Sequence, residues 1–226
     1  MPVKNVVKIY IENGFYHVYN RGVEKRDIFM EKGDYKVFLH FLKRYLTKPP
    51  FDPNKITPIF RTNLFDKIQL NAYCLMPNHF HLMIKQSTKE AMTVFIKALT
   101  NSYVHYFNKK CRRRGPLFEG NYKAVLIETE PQLLHLTRYI HLNPKEVQPI
   151  DRSNLSTGPT SVRKYSYSSY QEYLGLRKTS WIHPEEILGF FKTAQKTSLQ
   201  DILSYQSFVE DFKGDSKKTL GSLTLE

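Results

Sequence analysis

The alternation of apolar and polar residues along the chain resolves it into a short series of strands and helices. Residues 15–19, Phe-Tyr-His-Val-Tyr, are rich in β-favouring side chains and stop at Asn20-Arg21-Gly22, which is turn chemistry, so a first strand is predicted there. From Asp34 onward Val37, Phe38, Phe41, Leu42 and Tyr45 recur at intervals of three and four, and the pattern ends at Lys48-Pro49-Pro50, where proline cannot continue a helix. After a loop over about 49–66, two bounded β-like runs, 68–76 and 79–85, are separated only by Pro77-Asn78 and read as an antiparallel hairpin. A second helix is expected over about 88–109, from the spacing of Met92, Phe95, Ile96, Leu99, Tyr103 and Tyr106. A loop with Arg114-Gly115-Pro116 then leads to a fourth strand at 122–128. A third helix follows, capped by Thr129 or Glu130 with Pro131 in its first turn, and it must end near Asn143 because Pro144 disfavours helical backbone in the residue before it. The order β-α-β-β-α-β plus a terminal helix is that of an α+β, ferredoxin-like fold, an antiparallel sheet with helices on one face.

The pattern changes past this point. Residues 149–164 turn to Pro, Ser, Thr and Gly without apolar periodicity, which reads as a linker between a domain at 1–148 and a small helical appendage at 165–226. The appendage holds three short helical patterns, SSYQEYLG, HPEEILGFF and LQDILSYQSFVEDF, and its last dozen residues are expected to fray.

Charge narrows the choice of partner. With 34 Lys+Arg against 21 Asp+Glu the formal net charge is +13, and such an excess concentrates polyanions and gains by releasing their condensed counterions. Nucleic acid is the natural partner. The densest cationic run, Lys109, Lys110, Arg112, Arg113 and Arg114, is the first candidate for phosphate contact, with a solvated loop as the plainer alternative. No apolar run approaches the ~20 residues of a membrane helix, and the start of the chain, MPVKNVVKIY, lacks a signal-peptide core, so a cytoplasmic, nucleoid-associated location is expected. Cys74 and Cys111 show neither metal-binding nor redox spacing and read as free thiols.

Two short strings carry candidate chemistry. In Pro77-Asn78-His79-Phe80-His81, at the start of a strand, successive side chains alternate between faces, so His79 and His81 emerge together while Phe80 points the other way. Two neutral imidazoles side by side can supply most of a site for a divalent transition ion, although a bare His-x-His also fits two histidines packed in a sheet. In Tyr139-Ile140-His141-Leu142-Asn143-Pro144, positions i and i+4 of a helix share a face, which aligns Tyr139 with Asn143. A phenol becomes a nucleophile toward phosphorus when a cation polarises the phosphate, and an amide oxygen one turn away can be a third ligand of that cation. Alone, the same pair also reads as a core tyrosine and a helix stop.

Taken in order and spacing, YHVYNRG, NAYCLMPNHFHLMI, GPLFEGNYKAV and LTRYIHLNP resemble the single-tyrosine HUH transposases of small insertion sequences, and more closely their REP-associated relatives. The likeness spans roughly residues 14–148. It implies a DNA nickase and strand-transferase in which His79 and His81 are the metal pair for Mg²⁺ or Mn²⁺, Tyr139 is the nucleophile and Asn143 completes the metal shell. Glutamine is frequent at that last position in the insertion-sequence branch, so asparagine leaves the third ligand the least determined. The resemblance further implies a substrate of single-stranded or hairpin DNA lying across the sheet, held by basic side chains such as Arg112, Arg113, Arg114 and Lys123, and a monomer or homodimer as the active form.

Two other readings share much of this pattern. A ferredoxin-like sheet with exposed aromatics is also a nucleic-acid-binding module without catalysis, but no basic-aromatic recognition string occurs on the expected strands. A replication initiator or relaxase would use the same HUH chemistry, and no phosphate-binding helicase loop accompanies it here.

Overall fold

The computed structural model describes residues 9–49, 63–146, 159–192, 204–214 and 220. Four strands, β1 (Phe15–Arg21), β2 (Ile68–Met76), β3 (His79–Gln86) and β4 (Lys123–Ile127), form one antiparallel sheet in the order β2-β3-β1-β4. Helices α1 (Lys32–Leu46) and α2 (Ala91–Lys110) are the crossovers of the ferredoxin-like frame, and α3 (Glu130–Leu142) follows β4. Each strand and each of these helices lies where the hydrophobic pattern predicts it, within a few residues at the ends.

Period-two alternation assigns each strand residue to one of two cores. Tyr16 and Val18 of β1 and Phe80, Leu82 and Ile84 of β3 pack with Phe38 and Leu42 of α1 and Phe95, Leu99 and Tyr103 of α2. On the opposite face Ala72, Cys74, Met76 and Met83 pack with Leu133, Leu136 and Ile140 of α3 and with residues from the carboxy-terminal part of the chain. One bulge interrupts the alternation. Between Leu70 and Ala72 the register of β2 shifts, so Leu70 and Tyr73 both face the first core although three positions apart.

Thr129 is the cap of α3: its hydroxyl accepts from Gln132 N at 3.3 Å, and the Gln132 side chain accepts in return from Thr129 N at 3.3 Å and Glu128 N at 2.9 Å. This reciprocal box aims α3, and every side chain on it, across the second face.

That face is completed by α4 (Pro159–Lys164), α5 (Tyr170–Tyr173), α6 (Glu185–Lys192) and α7 (Tyr205–Glu210), which place Val162, Tyr170, Tyr173, Ile187, Tyr205 and Val209 in one core with α3. Helices therefore flank both faces of the sheet: the two crossovers on one, and α3 with the carboxy-terminal segment on the other. The same segment pairs with the outer edge of β2, where Leu75 N donates to Tyr167 O at 2.9 Å, Ser169 N to Tyr73 O at 3.0 Å and His183 N to Leu70 O at 2.9 Å. Of the stretch read as a linker, 149–158 lies outside the described residues. Its last six residues form α4, which the burial of Val162 anchors. Of the last dozen residues, for which fraying is expected, only Leu220 lies among the described ones, where it is buried.

Candidate active site

The β2-β3 hairpin turns at Pro77-Asn78, and a loop from β1 clasps that turn. Gly22 N donates to Asn78 O at 2.8 Å, while Ile28 N and Phe29 N converge on Pro77 O at 2.8 and 2.9 Å. A side chain at Gly22 has no room, since a Cβ there would lie 2.2 Å from the Arg26 carbonyl oxygen. The Asn-Arg-Gly after β1 thus does more than end a strand: it holds in place the start of β3, where both histidines sit.

His79 and His81 share the second face, as the alternation predicts, with Phe80 between them in the first core. His79 is half-buried at the mouth of the sheet, beside Arg21 in register. Its Nδ1 lies 2.6 Å from the Asn78 side-chain oxygen. Burial lowers its pKa to about 4, opposed by a hydrogen bond with Asn143. His81 is fully buried, and burial, reinforced by the neighbouring His79 and His17, holds its pKa well below the usual imidazole range. Both rings are therefore neutral at physiological pH.

From α3, Tyr139 and Asn143 reach the same point. The Tyr139 ring meets His81 edge-on with centroids 5.4 Å apart, and the buried Asn143 donates from Nδ2 to Tyr139 O at 3.0 Å while hydrogen-bonding His79 through its side chain. The structure brings His79, His81, Tyr139 and Asn143 together from two segments of the chain, 79–81 and 139–143. Lys123 of β4 joins them on this face: its ammonium lies 5.8 Å from the centre of the Tyr19 ring, and Tyr19 pairs with Lys123 on one side and His81 on the other.

The basic run divides. Lys109, Arg112 and Arg114 are exposed at the end of α2 and line a shallow concavity with His105 and Asn108. Arg113 braces the loop by donating to Asn108 Oδ1 at 2.7 Å and Pro116 O at 3.0 Å. Lys110 is committed to acids, 2.5 Å from Asp34 and 2.7 Å from Glu31. Of the five, Lys109, Lys110, Arg112 and Arg114 are exposed, and of these Lys110 is held by the two acids.

One buried residue at the site, His17 of β1, does not stand out in the sequence. Its Nε2 lies 2.9 Å from His81 Nδ1 with the rings stacked, and its centroid is 6.2 Å from that of Tyr139. In the chain it stands beside no other histidine, and only the β1-β3 register brings it to His81. A second network ties α3 to the carboxy-terminal segment: His141, fully buried, bonds Tyr205 OH at 2.7 Å through Nδ1 and Ser169 Oγ at 2.8 Å through Nε2.

The donor set suits a divalent cation. Among the described residues no three His, Cys, Asp or Glu side chains are grouped as a metal site, and the side chain beside His79 is the Asn143 amide. The telling observation is His81 Nε2, a buried ring nitrogen with no hydrogen-bond partner among the described residues.

The profile of the IS200-like transposase family matches residues 55–143, a stretch that includes the histidine pair, Tyr139 and Asn143. No curated protein matches the sequence. Among solved structures, a REP-associated tyrosine transposase bound to a REP hairpin is 12% identical, with a TM-score of 0.54 over 80% of this chain and 98% of that one. A putative transposase from Deinococcus radiodurans is 14% identical and covers 62% of this chain and 95% of that one, at a TM-score of 0.36. The family match thus spans both halves of the site, and the fold is shared with a REP-associated tyrosine transposase.

Proposed function

We propose that this protein is a DNA nickase and strand-transferase that cuts single-stranded or hairpin DNA through a covalent 5′-phosphotyrosine on Tyr139. The observation that carries the reading is the convergence of Tyr139 on His81, with Asn143 one helical turn on and hydrogen-bonded to His79. The solved relative bound to a REP hairpin supports DNA of that kind as the substrate.

His79, His81 and the Asn143 amide would hold a divalent cation, Mg²⁺ or Mn²⁺. Bound there, it supplies Lewis-acid polarisation of a phosphate oxygen. The Tyr139 oxygen forms the new bond to phosphorus as the bond to the 3′ oxygen breaks, the phenol gives up its proton, and the departing oxygen is protonated to a free 3′-OH. The ester formed is a phosphodiester like the one broken, so another 3′-OH can reverse the step without ATP.

DNA would approach at the end of the sheet where Arg21, His79 and Lys123 lie, with Lys109, Arg112 and Arg114 holding backbone phosphates. Every residue proposed for chemistry precedes the carboxy-terminal segment, which would tune DNA selection through its packing against α3. The function is tested with a hairpin oligonucleotide labelled 3′ of the cut. Denatured protein should retain the label, and peptide mapping should find it on Tyr139. Specific, metal-independent DNA binding without any adduct would instead make the domain a binding module.

A further inference from the structure

Buried imidazoles raise a question of tautomer that the ligand set by itself leaves open. A neutral histidine carries one ring proton, and only the nitrogen without it has a lone pair for a cation. His81 has Nδ1 2.9 Å from His17 Nε2, while its Nε2 is buried with no hydrogen-bond partner among the described residues. One of two arrangements must hold. If His17 donates, the proton of His81 falls on Nε2, a buried N–H left without an acceptor among the described residues and unable to ligate. If His17 accepts, His81 keeps its proton on Nδ1 and presents the Nε2 lone pair to the site.

Resting on the metal site proposed above, we propose that His17 is a positioning residue that accepts the Nδ1 proton of His81 and thereby locks His81 in the tautomer able to bind a divalent cation through Nε2. The geometry is suited to a lock. Both rings are fully buried, so water does not compete for the bond, and they stack at an 18° interplanar angle with centroids 5.0 Å apart, which restricts rotation of either. They stand on β1 and β3, the two central strands of the sheet, so the backbone ladder sets their separation. A ligating histidine ordinarily hands its second ring proton to a carboxylate, a carbonyl or a water, and loss of such an outer partner weakens metal binding by about 10–100-fold. Here another histidine would fill that place.

The inference is tested on the full chain without DNA. In metal-free wild-type protein, ¹⁵N chemical shifts of the imidazole nitrogens should show His81 protonated at Nδ1, and Mn²⁺ titrated by calorimetry or electron paramagnetic resonance should bind. His17→Phe keeps a flat ring but no acceptor and should weaken Mn²⁺ by about 10–100-fold. His17→Gln can put an amide oxygen near the position of Nε2 and should recover most of the affinity, which a packing role alone would not predict. His81 protonated at Nε2 in the wild type overturns the proposal without any mutation. So does a folded His17→Phe protein that binds Mn²⁺ as the wild type does. Wild-type protein that takes up no Mn²⁺ overturns the metal site itself and with it the purpose assigned to His17.

Discussion

The two faces of the sheet are built from the same strands and do opposite things. Toward α1 and α2 the strands send Tyr16, Val18, Phe80, Leu82 and Ile84, and the result is a dry core of aromatic and aliphatic side chains. Toward α3 they send His17, Tyr19, His79 and His81, and this face leaves the buried His81 Nε2 without a hydrogen-bond partner among the described residues. Burying an unpaired polar group costs free energy, so the second face gives up stability that the first supplies. Residue 80 and its two neighbours show the division at its sharpest: one aromatic ring holds the strand down in the first core while the histidines on either side face α3.

The strongest way to break this comparison is through Tyr139. Tyr139→Phe removes one oxygen from the second face, and it should abolish the DNA adduct while leaving the unfolding midpoint nearly unchanged. Adduct formed by the Phe variant, or label mapped to Tyr103, Tyr106 or Tyr122, would move the chemistry elsewhere. Next in size is a pair of adjacent substitutions. Phe80→Ala should cost about 3–5 kcal/mol of stability, as buried aromatic truncations do, yet leave Mn²⁺ affinity of the folded protein close to normal. His81→Ala, like chelation with EDTA, should stop cleavage with much smaller loss of stability and with DNA binding largely retained. Equal loss of metal affinity in both variants would mean that the faces are not separable.

The pH dependence of stability sharpens the same contrast. Burial lowers His79 to about 4 and His141 to about 3, and holds His81 low as well, whereas in the unfolded chain each histidine titrates near 6.5. Below pH 6.5 the unfolded state therefore binds more protons, and stability falls as pH falls from 6.5 toward 4, by about 1.4 kcal/mol per pH unit for each such histidine. Above about pH 7 these groups are neutral in both states and contribute no slope. Urea titrations between pH 7.5 and 4.5 would reveal it, and a flat profile would show that the second face is wetter than its burial implies.

Smaller effects are expected at the periphery. Replacing Lys109, Arg112 and Arg114 together by glutamine should reduce the slope of log affinity against log salt by up to about 2 for single-stranded DNA, since each phosphate contact contributes roughly 0.7. An unchanged slope would return the run to the status of a solvated loop. Smallest of all, Tyr205→Phe takes one hydroxyl from His141 and should cost about 1 kcal/mol. A far larger loss of cleavage than of stability in that variant would make the carboxy-terminal segment part of the catalytic apparatus.

Much of this molecule is legible along the chain because its causes are local. Apolar spacing, Pro49-Pro50 and Pro144 bound the helices, alternation places His79 and His81 on one face, and helical geometry aligns Tyr139 with Asn143. None of these requires knowing what touches what. Three further features depend on pairing between distant segments. The bulge at Leu70–Ala72 resets which side chains of β2 face which core, and the carboxy-terminal segment covers both the β2 edge and the second face. His17 meets His81 across 64 positions of sequence. By itself the sequence determined the elements, their order and the residues able to carry chemistry, since those follow from period and residue type. Only the tertiary structure decided that Lys110 is bound to Asp34, that the histidines are buried deeply enough to stay neutral, and that His81 lies against His17, because ion pairing, desolvation and cross-strand register depend on which distant residues meet.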